Sequence, residues 1–147
     1  MKRNLLMLFL ALFTTYNLSA QVSETFVKSG VAINGYDPVA YFRESKPVKG
    51  SENYSFKWND ATWLFSNQQN LDSFKLNPVK FAPQYGGYCA YGMSEGHKAP
   101  TEPDAWTIVN GKLYLNYNSK VKGYWNKDQA KRIEEADINW PALKDKE

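Results

Sequence analysis

The amino-acid sequence predicts a small single domain of the α+β class, with an antiparallel sheet built from two hairpin-plus-helix units and flanking helices. Each unit has two short runs rich in aromatic and β-branched residues, a turn dipeptide between them, and a helix-capping residue after them. The turn is Asn59-Asp60 in the first unit and Asn110-Gly111 in the second. Asn-Gly favours the left-handed backbone that two-residue hairpins require.

The first unit is predicted to contain strands over 54–58 and 61–65, after which Ser66 caps a helix running to about Lys75. Trp63 and Phe65 alternate with Thr62 and Leu64, so the two aromatic rings are expected to face the core. A sugar-binding platform is the alternative interpretation of such an aromatic row.

The second unit repeats this plan with strands over 106–109 and 112–117, and Ser119 opens the next helix. Alternation along its second strand predicts an inward-facing row made of Leu113, Leu115 and Tyr117.

Flanking helices are indicated by capping signals and charge spacing. An Asp or Asn followed by Pro occurs at 37–38 and 77–78, and the first of these predicts a short helix from Pro38 to Arg43. Residues 128–138 mix acidic and basic side chains at helical spacing, which is typical of a solvated helix face. Trp140-Pro141 is expected to pack the end of the chain onto the domain.

The N-terminus is typical of an export signal. A basic start is followed by a short apolar run over 5–15 that ends in small residues at Ser19-Ala20. This run is shorter than the roughly 18 residues that cross a bilayer, so export is favoured over a membrane anchor. The predicted divisions are a signal peptide at 1–20, a linker at 21–30, the domain at 31–142 and a charged tail at 143–147. The expected location is the periplasm or the medium.

Composition limits the partner classes. The chain carries 18 Lys and Arg and 15 Asp and Glu, and removal of Lys2 and Arg3 lowers the basic count to 16, a net charge of +1. Scattered charges in a nearly neutral chain do not form the clustered basic face that nucleic acid requires. About 127 residues remain, enough for one domain with its own core.

Soft-metal chemistry is concentrated in one short segment. After removal of the leader, the chain keeps one cysteine, one methionine and one histidine, namely Cys89, Met93 and His97. A helix over 88–95 would place Cys89 in its first turn, where the helix dipole lowers a thiol pKa, with Met93 on the same face. An unbroken helix would carry His97 about 12 Å away, so the chain must turn, and Gly96 can supply that turn.

Each of these residues also has a structural interpretation. Cys89 is either buried and inert, metal-bound, or redox-active, Met93 is either a core residue or a ligand, and His97 is either an exposed polar residue or a ligand. A thiol-dependent enzyme would use Cys89 as nucleophile, His97 as base and Asp104 to orient it, with Glu95 and Glu102 as equal candidates for the third role. No catalytic residue is assigned on this basis.

Three segments closely resemble those of the secreted YHS-domain proteins: 35–42 (GYDPVAYF), 77–90 (NPVKFAPQYGGYCA) and 104–117 (DAWTIVNGKLYLNY). The resemblance extends from about 31 to 141. In metal-pumping ATPases and monooxygenases with related domains, three cysteines occupy positions that fall here on Ala40, Ser66 and Asn70, so that metal site does not transfer. Some members of the secreted branch are described as selenoproteins, and the resemblance puts selenocysteine at the position of Cys89.

The expected function is therefore an exported YHS-domain protein that binds a transition metal through Cys89 and His97, with Met93 as a possible third ligand. Copper is favoured over zinc, because three soft ligands suit a cuprous ion but leave a zinc site incomplete. Metal handling or sensing in the cell envelope would be the role, with a metal ion or an envelope metal-handling protein as partner. A redox-active thiol protein and a non-catalytic ligand-binding module remain the alternatives.

Overall fold

Residues 23–146 are described by the structure, a computed structural model, and the predicted signal peptide lies outside them. The α+β class is confirmed. In chain order the elements are β1 Val27–Lys28, β2 Val31–Ala32, α1 Pro38–Glu44, β3 Ser51–Trp58, β4 Ala61–Phe65, α2 Gln68–Leu76, α3 Pro78–Phe81, α4 Ala90–Ser94, β5 Trp106–Val109, β6 Lys112–Leu115, α5 Ser119–Lys127 and α6 Gln129–Leu143.

Both hairpin-plus-helix units are present, as β3–β4–α2 and β5–β6–α5, but they do not share one antiparallel sheet. The larger sheet has the order β1-β2-β4-β3, and β5 and β6 form a separate two-stranded sheet. The edge of β4 is taken by β2, where Val31 lies parallel to Thr62. Since the N-terminal strands occupy that edge, the second hairpin cannot pair there.

The N-terminal segment belongs to the fold from Thr25 onward, which corrects the predicted linker at 21–30. Thr25 and Phe26 are buried, and β1 pairs with β2. At the other end, α6 continues to Leu143, and Lys98 Nζ donates to the carbonyls of Lys144 and Lys146 in the predicted tail. Within residues 23–146, no helix is both long and apolar enough to cross a membrane.

Aromatic packing forms the main core, as the alternation predicted. Phe74 of α2 lies 5.1 to 6.4 Å, between ring centroids, from Phe56, Trp58, Trp63 and Phe65 of the first hairpin. Such tilted and edge-on arrangements stabilise aromatic pairs beyond their buried area. A second core cluster lies under the other hairpin, where Tyr114 contacts Trp125 of α5 with 5.3 Å between ring centroids.

Two local expectations differ from the structure. Asn67, not Ser66, caps α2, because Asn67 Oδ1 accepts the Asn70 N–H while Ser66 bonds elsewhere. The inward row of the second hairpin ends at Leu115, and Tyr117 is 48% exposed. The chain leaves the strand at Asn116, whose backbone N–H and carbonyl bond to the 102–105 loop.

A fully buried carboxylate joins three parts of the fold. Asp37 Oδ1 accepts the N–H groups of Val39 and Ala40 at 2.8 and 3.2 Å, which caps α1 as predicted. Asp37 Oδ2 accepts the N–H and hydroxyl of Ser66, both at 2.8 Å, and the Asn70 side-chain amide at 2.7 Å. A buried charge is tolerated only when it is hydrogen-bonded to this extent.

Replacement of this carboxylate is expected to be severely destabilising. Asp37→Ala leaves buried donors unpaired and removes the cap, so the free energy of unfolding should fall by about 3 kcal/mol or more. Asp72→Ala, which removes an exposed carboxylate from α2, should change it by about 0.5 kcal/mol or less. Urea denaturation measures the free energy of unfolding of both variants, provided that the m-value is the same as in wild type. Equal effects of the two substitutions would contradict the structural role of Asp37.

Candidate functional site

Cys89 is placed at the start of α4 by the loop that precedes it. The predicted helix over 88–95 is shorter in the structure, and Cys89 is its N-cap, not a residue of its first turn. The turn over Gln84–Gly87 directs the chain into this position, with Gly86 and Gly87 both at positive φ. Gly86 lets the loop pack directly against the backbone at Glu24, because a side-chain carbon there would stand 1.7 Å from the Glu24 carbonyl oxygen.

The Cys89 sulfur is enclosed by polar groups. Its side chain is buried, at 1% exposure. Sγ accepts the N–H of Gly92 at 3.4 Å and the N–H of Tyr117 at 3.2 Å, and the thiol donates to Asn116 Oδ1 at 3.5 Å. The thiol therefore acts in the way that a serine hydroxyl usually caps a helix.

The expected lowering of the Cys89 pKa is wrong. Burial raises the pKa of the thiol, and this effect exceeds the lowering caused by the backbone N–H groups of Gly92, Tyr117 and Tyr91. A helix of five residues adds little dipole to offset that burial. Cys89 is therefore a neutral thiol at neutral pH.

Asn116 was not anticipated from the sequence. Its side chain is fully buried, and Oδ1 accepts both the Tyr91 N–H and the Cys89 thiol. Its Nδ2 has no hydrogen-bond partner anywhere in residues 23–146. An unpaired buried amide donor is energetically costly.

The chain reverses after α4 at the predicted residue. Gly96 has φ +86° and follows the C-cap Glu95, its N–H bonds to the Met93 carbonyl, and the His97 N–H bonds to the Gly92 carbonyl. These two bonds form a Schellman motif. The returning segment reaches the start of the helix, where Cys89 N–H donates to the Ala99 carbonyl at 2.9 Å.

Gly92 lies next to both candidate ligands, Cys89 and His97. Its N–H points at Cys89 Sγ, and its α-carbon faces the His97 ring, since an added side-chain carbon would lie 3.3 Å from His97 Nε2. The imidazole is exposed while the sulfur is buried. The reversal therefore brings Cys89 and His97 to one glycine, with the thiol inside and the ring outside.

Met93 is a core residue of α4. It is fully buried in the second core cluster, with Tyr85, Ala90, Tyr114, Trp125 and Ala136. Although its position at i+4 from Cys89 matches the predicted helical spacing, its surroundings are those of a core residue.

The carboxylates considered as a third catalytic group make other contacts. Glu95 pairs with Arg132, Asp104 is exposed near Tyr41, and Glu102 lines a cleft beside Tyr117. In the described part of the chain, no cluster of three or more His, Cys, Asp and Glu side chains is arranged to hold a metal ion. One thiol and one imidazole fit a cuprous ion, which accepts few soft ligands, better than zinc, which takes four.

Thiol labelling should report the burial of Cys89. In the folded protein at pH 7 an aromatic disulfide reagent should react slowly, because Cys89 is buried and neutral, and the reaction should become fast in urea. The native rate should rise only at a pH above the ordinary range of a thiol pKa. The matched control combines Cys89→Ser with Ser119→Cys, which moves the one thiol to an exposed helix start. Similar native rates for the two proteins would contradict the described burial.

Comparisons of this chain with protein-family models, with curated proteins and with solved structures found no match. The assignment of a function therefore depends on the sequence motifs and on the geometry around Cys89.

Proposed function

We propose that this chain is an exported YHS-domain protein that binds one cuprous ion between Cys89 Sγ and His97 Nε2, for metal handling or sensing in the cell envelope. Thiolate and imidazole are ligands that copper accepts, and a cuprous ion needs only two of them. Met93 is not required in this site.

The observation that carries the proposal is the shared contact at Gly92. The sulfur accepts the Gly92 N–H at 3.4 Å, and the imidazole nitrogen stands 3.3 Å from the place of a Gly92 side-chain carbon. A side-chain carbon at this position would make a tight contact with the ring, which would have to shift by a few tenths of an ångström. That both side chains lie next to Gly92, on a segment that reverses at Gly96, supports the choice of these two residues as ligands.

Binding must release the thiol proton, because the metal ligand is the thiolate. Two backbone N–H groups already point at the sulfur and would stabilise its negative charge in the complex. Affinity should therefore increase with pH up to the raised pKa of Cys89.

A second set of contacts supports the YHS resemblance. The three positions that hold cysteines in the metal-pumping relatives correspond to Ala40, Ser66 and Asn70. All three donate to the Asp37 carboxylate, through the Ala40 N–H, the Ser66 hydroxyl and the Asn70 amide. Residues that are 26 and 30 positions away from Ala40 in sequence thus bind the same carboxylate as the Ala40 N–H.

The redox-thiol alternative is less favoured by the geometry. Reactive cysteines are thiolates in partly exposed surroundings, whereas Cys89 is 1% exposed with a raised pKa. A bound metal ion would change this state, because coordination deprotonates a thiol.

Competition against a chromogenic cuprous chelator under reducing conditions tests the proposal. Wild type should remove one equivalent of copper from the chelator. Cys89→Ser should abolish this binding and keep the fold, since serine is a preferred N-cap residue. His97→Asn should weaken it.

Gly92→Ala provides the sharper variant, because it leaves both ligands in the sequence. The added methyl group lies 3.3 Å from His97 Nε2 and from the His97 carbonyl oxygen, so it should displace the ring and weaken binding by about tenfold or more. The matched control is Gly123→Ala in α5, where an added carbon has no neighbour within 4 Å. The site is assigned wrongly if Cys89→Ser binds copper as tightly as wild type. It is also assigned wrongly if Gly92→Ala and Gly123→Ala bind copper with equal affinity.

A further inference from the structure

A cavity lies away from the thiol, between the N-terminal segment, the turn of the first hairpin, the loop before Cys89 and the end of α6. Its volume is about 190 Å³. Four aromatic side chains line it: Trp58, Trp63, Tyr85 and Trp140. Trp63 and Tyr85 are buried and form its floor, and Trp58 and Trp140 are half-buried and form its walls.

The polar atoms of the two floor rings are already bonded away from the cavity. Trp63 Nε1 donates to the Trp58 carbonyl at 2.9 Å, and the Tyr85 hydroxyl donates to Asp137 Oδ1 at 2.8 Å. These two rings therefore offer a ligand no hydrogen-bond donor, and the aromatic surface that a ligand can reach comes mainly from the half-buried Trp58 and Trp140.

Glu24 is the one charged residue that lines the cavity in the described part of the chain. Its carboxylate bonds to Lys144 at 3.1 Å and more weakly to Asn59 at 3.5 Å. The Lys144 hydrogen bond lowers the Glu24 pKa, so the group is ionised at neutral pH. The lining is thus negative and aromatic, a combination that disfavours anions.

The loop that forms one wall is held in an unusual backbone conformation. Tyr85 is a buried non-glycine residue with φ +56° and ψ +35°. Bulky residues rarely adopt the left-handed region, and where they do, the surrounding structure fixes them, often at binding sites. The next residue, Gly86, packs so closely against the Glu24 carbonyl that no side chain fits there.

We propose that this aromatic cleft binds a small organic cation of the quaternary or methylated ammonium class. The faces of tryptophan and tyrosine rings attract such a cation, and the Glu24 carboxylate adds charge attraction at the rim. A methylated ammonium group needs no directional hydrogen bonds, which suits a cavity whose Glu24 and Asn59 side chains already bond to each other. A neutral sugar would leave most of its hydroxyl groups unpaired against the aromatic floor.

Calorimetric titration with choline and with its neutral isostere 3,3-dimethylbutan-1-ol tests this inference, because the two probes differ in charge and share their shape. Choline should bind at least tenfold more tightly than the isostere. Equal binding of the two probes, no choline binding, or tighter binding of glucose than of choline would overturn the proposal.

Variants separate the charge and the aromatic contributions. Glu24→Gln and Trp140→Leu should each weaken choline binding at least fivefold, while Lys144→Gln should tighten it by removing the ammonium group that competes for Glu24. The matched control is Glu52→Gln, which removes an exposed carboxylate on β3 outside the cleft and should leave affinity unchanged. The assignment of Glu24 would be overturned if Glu24→Gln and Glu52→Gln lost choline affinity equally, or if Lys144→Gln bound choline more weakly than wild type.

Discussion

The buried Asp37 carboxylate is the interaction on which the rest of the structure depends. Its five hydrogen bonds tie the first turn of α1 to the end of β4 and the start of α2. The network continues to the surface, where Arg43 donates to Asn70 Oδ1 at 2.8 Å. Since every acceptor position on the carboxylate faces a donor, the charge fixes these three segments in one arrangement and lets the aromatic core close beneath them.

The environment of Cys89 shows a compromise between structure and reactivity. As an N-cap the thiol satisfies the Gly92 N–H of α4, and it also accepts the N–H of Tyr117 from the chain that follows β6. The same enclosure removes water from the sulfur and keeps it protonated. A protein that needed a fast nucleophile would expose this residue, whereas one that holds a soft ion benefits from a sulfur shielded from oxidants.

Local signals in the sequence predicted local structure well. The turns at 59–60 and 110–111, the Asp37 cap and the reversal at Gly96 follow from the backbone preferences of a few adjacent residues, and all of them are present. What the sequence could not predict depends on distant segments. The separation of the two sheets follows from the strand that β2 adds beside β4, and the raised pKa of Cys89 follows from its burial against Asn116 and Tyr117. Neither effect leaves a pattern in the neighbouring residues.

The ion pair between Glu24 and Lys144 has a practical consequence. It joins the first and last parts of the described chain, so Ser23 and Lys146 lie on the same side of the molecule. A short flexible peptide joining these ends would permit circular permutation, with new termini at the exposed turn formed by Asn110 and Gly111.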